Sequence, residues 1–246
     1  MAKKYFTLSF DDGLEQDKRL LDLMRKYDLK GTFNLNAGLF GTKGEVKGIG
    51  TLGFQDCKEG IRHHWPFSYV AHNRIPEDEI AQVYAGMEIA SHGFQHESLG
   101  KLNEEALHRS IDLDKSALEK LAGTQVYGHA YAHGSTSDSA KSYLKSKGYR
   151  YARLVMPTKQ FDFPTEPLAL SPTCSCIDKD APSLIERFIQ TKAEEKDLLF
   201  YMWGHAYEFD YEKGQARWLA VERLFDRVAS QNDIVFCTNI EALEKK

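Results

Sequence analysis

Tyr5-Phe6-Thr7-Leu8-Ser9-Phe10-Asp11-Asp12-Gly13 decides the fold. Its aromatic and aliphatic residues read as a strand, which ends in an acidic pair and a glycine that permits a turn. An amphipathic helix follows over Leu14–Tyr27, with Leu20, Leu21, Leu23, Met24 and Tyr27 on its inner side. Gly31 reads as the close of that helix and Thr32–Asn36 as a second strand. Further strands are expected at Glu88–Ala90, Val126–Ala130, Tyr151–Val155, Leu168–Leu170, Leu198–Trp203 and Ile234–Thr238. Helices are expected from Pro76 to about Ala85, from an Asn103 cap to Leu121, and at Ser137–Lys147, Ala181–Glu194 and Arg217–Ser230. About eight strands alternating with helices give an α/β chain and an incomplete or distorted (β/α) barrel. No repeat or linker divides residues 1–246, so one domain is expected.

Composition narrows the function. A net charge of −4 gives no general attraction to nucleic acid or anionic membranes. No window reaches the roughly 18 apolar residues of a membrane span. Met1-Ala2-Lys3-Lys4 runs directly into the first strand without a signal-type apolar region, so the expected location is cytoplasmic. The four cysteines, Cys57, Cys174, Cys176 and Cys237, match no disulfide framework, and Cys174-Ser175-Cys176 reads as ordinary buried thiols. Residues 38–76 read as a long irregular loop, rich in glycine and aromatics, of the kind that carries function. His63, His64, Trp65 and His72 could wall a cleft there, with His63-His64 a solvated pair rather than a second metal site.

In such barrels chemistry gathers at the C-terminal strand ends. Asp11-Asp12, His92, the segment His129–His133 and His205 all fall at such ends. In Ser91-His92-Gly93-Phe94-Gln95-His96 the two imidazoles are four residues apart, which on a helical turn places them on one face. A metal site needs at least a third protein ligand, and Asp12 supplies it. Three ligands leave coordination positions open, the pattern of a catalytic site. Taken alone, Asp-Asp-Gly favours a helix cap; beside His92 and His96 at a neighbouring strand end it favours the metal reading. His205 ends an apolar strand, where it can act as a general acid or sit buried on a carbonyl.

These motifs resemble those of the NodB-type polysaccharide deacetylases, carbohydrate esterase family four. Ser9–Gly13 is similar to the family's first motif, and Glu88–His96 to the second, the metal-binding His-x-x-x-His. The resemblance implies a NodB-type barrel that removes an acetyl or similar acyl group from an N-acylated sugar or oligosaccharide. It also implies one divalent ion, with zinc the first choice and cobalt, nickel or manganese alternatives. Asp11 would be the base, Asp12, His92 and His96 the ligands, and His205 the acid.

The third motif departs from the family. His129-Ala130-Tyr131-Ala132-His133-Gly134 stands where many members have Arg-x-Pro-Tyr-Gly. His133 aligns with the tyrosine whose backbone N–H holds the oxyanion, and Tyr131 and Gly134 are candidate neighbours in that role. Arg153 is a candidate source of the missing positive charge, and Glu208 or Asp210 of an acid to polarise His205. Trp203, Tyr207 and Phe209 could line a sugar site. The departure keeps two other readings open, a hydrolase of a small non-sugar amide or ureide and a sugar-binding pseudoenzyme. A nucleic-acid partner is not expected, and oligomeric state is not legible.

Overall fold

A computed structural model describes residues 2–47, 69–211 and 215–245. In chain order the strands are β1 (Lys4–Asp11), β2 (Gly31–Leu35), β3 (Glu45–Lys47), β4 (Tyr69–Ala71), β5 (Glu88–Ser91), β6 (Gly128–Ala130), β7 (Tyr151–Arg153), β8 (Cys174–Ser175), β9 (Leu198–Gly204) and β10 (Ile234–Phe236). The helices are α1 (Gln16–Lys26), α2 (Ile80–Val83), α3 (Glu104–Ala122), α4 (Asp138–Ser146), α5 (Ala181–Gln190), α6 (Gln215–Ala229) and α7 (Asn239–Glu244). Eight strands form one parallel sheet in the order β7-β6-β5-β2-β1-β9-β8, with β10 beside β1. The sheet curls into the expected incomplete (β/α) barrel. Among the described residues no helix is long and apolar enough to cross a membrane.

β1 is the axis of this sheet and is buried along its whole length. One edge pairs with β9 from Lys4 to Phe10, and the other is shared by β10 at Lys4–Phe6 and β2 at Leu8–Asp11. Alternation then sorts its side chains. Phe6, Leu8 and Phe10 join the apolar layer with Leu20, Leu21 and Met24 of α1. Tyr5, Thr7, Ser9 and Asp11 face the lumen, as do Asn34, Tyr151, Arg153 and Tyr201 from other strands. Much of that lumen is polar: Thr7 donates to Asn239 (2.8 Å), and Asn34 (2.9 Å) and Asn239 (3.2 Å) both donate to Ser9. Glu88 accepts from Thr32 (2.7 Å), Tyr151 (2.9 Å) and the Ile240 N–H (3.0 Å).

Three expectations are corrected. Gly31 does not cap α1, which stops at Lys26 with Asp28 left-handed (φ 52°) and the Leu29 N–H on the Met24 carbonyl (2.9 Å). Gly31 instead opens β2, where a Cβ would lie 2.7 Å from Met24 Cε and 3.1 Å from the Leu8 carbonyl. The strand expected at Leu168–Leu170 is a 3-10 turn over Pro167–Ala169, since proline has no N–H for a ladder. Leu170 alone pairs with β7, giving its N–H to Ala152 (2.8 Å) and taking that of Leu154 (2.7 Å).

The stretch 38–76 is also less irregular than expected, because β3 and β4 pair antiparallel. His63, His64 and Trp65 lie outside the described residues. The Asn103 cap matches expectation, its side chain accepting the Ala106 N–H (2.9 Å).

In the first turn of α1, Asp17 is fully buried; Oδ2 accepts the Leu14 N–H (3.1 Å) and the Tyr84 hydroxyl (2.7 Å), while Oδ1 has no hydrogen-bond partner. Burial pushes its carboxyl up to about 8, against the pull of those two bonds, and the charge of Asp12 adds to the rise. The folded protein thus keeps a proton that the unfolded chain releases near pH 4, so this group's contribution falls as pH climbs from about 4 to about 8. The neutral isostere Asp17→Asn should flatten that fall. Urea midpoints across the window measure it, and a variant with the wild-type slope would refute the assignment.

Candidate metal and catalytic centre

Asp11 is the last residue of β1, and the chain then turns through two successive left-handed residues, Asp12 (φ 83°) and Gly13 (φ 69°). Aspartate tolerates this region better than most residues. At Gly13 a Cβ would also sit 2.9 Å from Leu35 Cδ2. The Asp12 N–H is fixed on the Asn34 carbonyl (3.0 Å), so the two carboxylates leave the strand end in different directions.

The histidine pair follows β5 but not on a helix. Residues 92–96 form a loop in which Gly93 (φ 82°) and His96 (φ 59°) are left-handed, and this turn brings the rings to 4.8 Å between centroids. The i, i+4 spacing is right, and the helical reason expected for it is wrong. Buried Asp114, from α3, fixes the entry to the loop by accepting from Ser91 Oγ (2.6 Å) and the His92 N–H (3.1 Å), while Asn36 donates to the carbonyls of His92 (2.8 Å) and Gly93 (2.7 Å).

One ligand atom each from Asp12, His92 and His96 lies within 4.8 Å of the others. Asp12 Oδ1 is 3.6 Å from His96 Nε2 and 4.0 Å from His92 Nε2. His92 donates its Nδ1–H to the Ala130 carbonyl (2.7 Å), which leaves the Nε2 lone pair facing the carboxylates. That Nε2 is buried without a hydrogen-bond partner, a costly condition unless something accepts the lone pair. Burial keeps both imidazoles neutral, His96 down to about 3 with His92 adding to the effect. Burial works against the charge on Asp12, but His72, His205 and the ligand histidines hold its carboxyl well below the usual range. Neutral imidazoles and an ionised carboxylate are the donor set that a divalent cation requires, so the residues fit one.

Asp11 is held from two directions. Arg153 Nη2 reaches both its oxygens (2.6 and 2.5 Å), and Asn34 donates to Oδ1 (2.8 Å). Arg153 is fully buried, with its guanidinium 4.6 Å from the Trp203 ring centroid. In the sheet it is the register partner of Ala130, so a positive charge stands one strand away from the segment that lacks arginine. Burial would raise the Asp11 carboxyl, but Arg153, His92 and His205 together bring it below its ordinary value.

His205 stands on the opposite side, its Nε2 4.0 Å from Asp11 Oδ2 and its Nδ1 3.5 Å from Glu208 Oε1. Burial disfavours its charge, but Glu208, then Asp12 and Asp11, raise it to about 9. Glu208 also accepts the His205 N–H (3.0 Å), whereas Asp210 is engaged by Trp218 (2.7 Å) and Gln16 (3.1 Å).

Other expected site residues sort by placement. Half-buried Trp203 and Tyr207 flank His205, at 5.7 and 5.1 Å between centroids. Phe209 is buried against Phe10 and Trp218 and cannot line a sugar site. Tyr131 likewise points into the core, its hydroxyl on the Leu168 carbonyl (2.9 Å). His133 is exposed and left-handed (φ 57°), edge-on to His96 at 4.6 Å, and joins no ligand group among the described residues. At Gly134 (φ 64°) a Cβ would approach Val155 to 2.7 Å. His129 lies behind the sheet, 3.1 Å from Ser91 Oγ. Sequence reasoning passed over Asn34, Asn36, Arg74 and Asp114. An asparagine inside an otherwise apolar strand was the available signal for Asn34.

The family model for polysaccharide deacetylase matches residues 1–152. No curated protein matches the chain. Among solved structures, the deacetylase PplD of Streptococcus pyogenes in complex with acetate has a TM-score of 0.55 at 16% identity, over 75% of this chain and 70% of that one. Puue allantoinase has a TM-score of 0.62 at 13% identity, over 98% and 88%. BA3943 from Bacillus anthracis, a CE4 family pseudoenzyme, has a TM-score of 0.57 at 15% identity, over 98% and 66%. At these identities the likeness establishes the fold.

The Arg153–Asp11 pair is buried on both sides, so removing one partner strands the other's charge. Arg153→Met should lower the stability of the metal-free protein by about 3–5 kcal/mol in urea. Asp11→Asn, Arg153→Met should be less destabilised than that single variant. Equal losses in the two would show that the charge pairing is not the cause.

Proposed function

The chain belongs to the polysaccharide deacetylase family, hydrolases of carbon–nitrogen bonds, and we propose that it removes an acetyl or similar acyl group from an N-acylated sugar or oligosaccharide with the help of a divalent cation. The observation that carries this reading is the unpartnered Nε2 of His92 beside Asp12 Oδ1, with Asp11 and His205 placed around it. Asp12, His92 and His96 would hold the ion, zinc being the first choice. When bound, it supplies Lewis acidity toward the acyl oxygen and lowers the pKa of water to about 7.

The side chains divide the remaining work. Asp11, ionised and fixed by Arg153 and Asn34, takes the proton of the attacking water. Arg153 would thereby perform the task of the arginine missing from the third motif. The oxyanion is met by the backbone N–H at His133, beside Gly134, a role that does not depend on the side chain. His205, kept protonated by Glu208, gives its proton to the departing amine. Trp203 and Tyr207 offer ring faces to the sugar.

Asp11→Asn should keep the metal and lose about 10²–10⁴-fold in turnover, the usual worth of a positioned base. His92→Ala should lose both. Acetate release across a panel of N-acetylated sugars, with and without chelator and alongside metal analysis, distinguishes these. A normal rate in Asp11→Asn sinks the base; release unaffected by chelator sinks the cation.

A further inference from the structure

We propose that His72 and Arg74 form a positioning clamp that fixes Asp12 so that it offers a single oxygen to the cation. The inference rests on the metal site proposed above. The two residues lie on the limb that returns to β1 from the long connection. This limb is held on both sides: His72 and Arg74 give their N–H groups to the carbonyls of Gly44 (2.7 Å) and Thr42 (2.9 Å). On the other side, the Ile75 N–H bonds the Gly13 carbonyl (2.9 Å), the Glu15 N–H bonds that of Asn73 (2.9 Å), and Arg74 bridges to Leu14. Residues two apart on an extended limb point the same way, so both side chains arrive at Asp12.

The hydrogen bonds have one consistent direction. Arg74 Nη1 lies 3.4 Å from His72 Nδ1, and a guanidinium can only donate. The ring proton of a neutral His72 is therefore on Nε2, 3.2 Å from Asp12 Oδ2, to which it donates. Oδ2 is thus occupied, while Oδ1 faces the two ligand histidines at 3.6 and 4.0 Å. Arg74 Nη2 donates to Oδ1 (3.3 Å) and balances the carboxylate charge, leaving that oxygen's other lone pair toward the histidines. Tyr207 backs the His72 ring edge-on, at 5.1 Å. A carboxylate gripped at both oxygens by His72 and Arg74 keeps a fixed angle toward the histidines, which is how partners behind a ligand raise metal affinity.

The test is calorimetric titration of the full metal-free chain with zinc chloride, paired with the visible absorption of its cobalt(II) form. His72→Leu should bind zinc about 10- to 100-fold more weakly, still one ion per chain and with the wild-type cobalt spectrum. His72→Gln, which keeps an N–H donor, should recover part of the loss, and Arg74→Met should weaken binding through the freed tautomer. Metal-free unfolding midpoints should fall somewhat, because buried Asp12 loses a partner, but each variant should stay folded under the titration conditions, because the backbone bonds hold the limb. Unchanged affinity in His72→Leu overturns the clamp. An altered cobalt spectrum overturns it differently, by making His72 a ligand. Wild-type protein that binds neither ion removes the metal site itself, and the clamp with it.

Discussion

The structure is organised around a carboxylate taken out of water at the mouth of the barrel. A buried charge is tolerated only when it is paired and hydrogen-bonded. Asp11 meets that condition through Arg153 from β7, Asn34 from β2 and two nearby imidazoles. Each partner comes from a different strand or from the residue just beyond one, so the curl of the whole sheet is what brings them within reach. The polar lumen beneath, through Ser9, Asn34 and Asn239, continues the same compensation downward.

The two carboxylates at residues 11 and 12 show how local backbone geometry separates two tasks. Strand alternation turns Asp11 inward to arginine. The left-handed Asp12 escapes that alternation and faces the histidines. Both are ionised at neutral pH and each meets an arginine, Arg153 for Asp11 and Arg74 for Asp12, but only Asp12 faces both His92 and His96.

Much of this was legible in the sequence because it depends on short-range regularities. Most of the strand–helix alternation, the Asn103 cap and the position of Asp11, His92 and His205 at strand ends agree with the structure. What was not legible depends on distance in space. The contact between Arg153 and Asp11 joins residues 142 positions apart across the lumen, and no local period encodes it. Local sequence makes His72 loop and His92–His96 helical, whereas positive φ at Gly93 and His96 and the pairing of residues 72–75 with the β1 exit are tertiary outcomes. Proximity in sequence to site residues puts Tyr131 and Phe209 at the cleft, yet core packing claims both.

Leu170, the single residue that bridges toward β7, has a mechanical consequence. The sheet's seam runs between β7 and β8, and two backbone hydrogen bonds at Leu170 join its β7 side. Arg153 stands on that edge strand and Asp11 on central β1, so their ion pair ties the edge to the middle of the sheet across the lumen. The position of that edge and the ionisation of Asp11 are therefore coupled. A proton on Asp11 weakens the tie, and an edge that swings outward withdraws the guanidinium that keeps Asp11 charged.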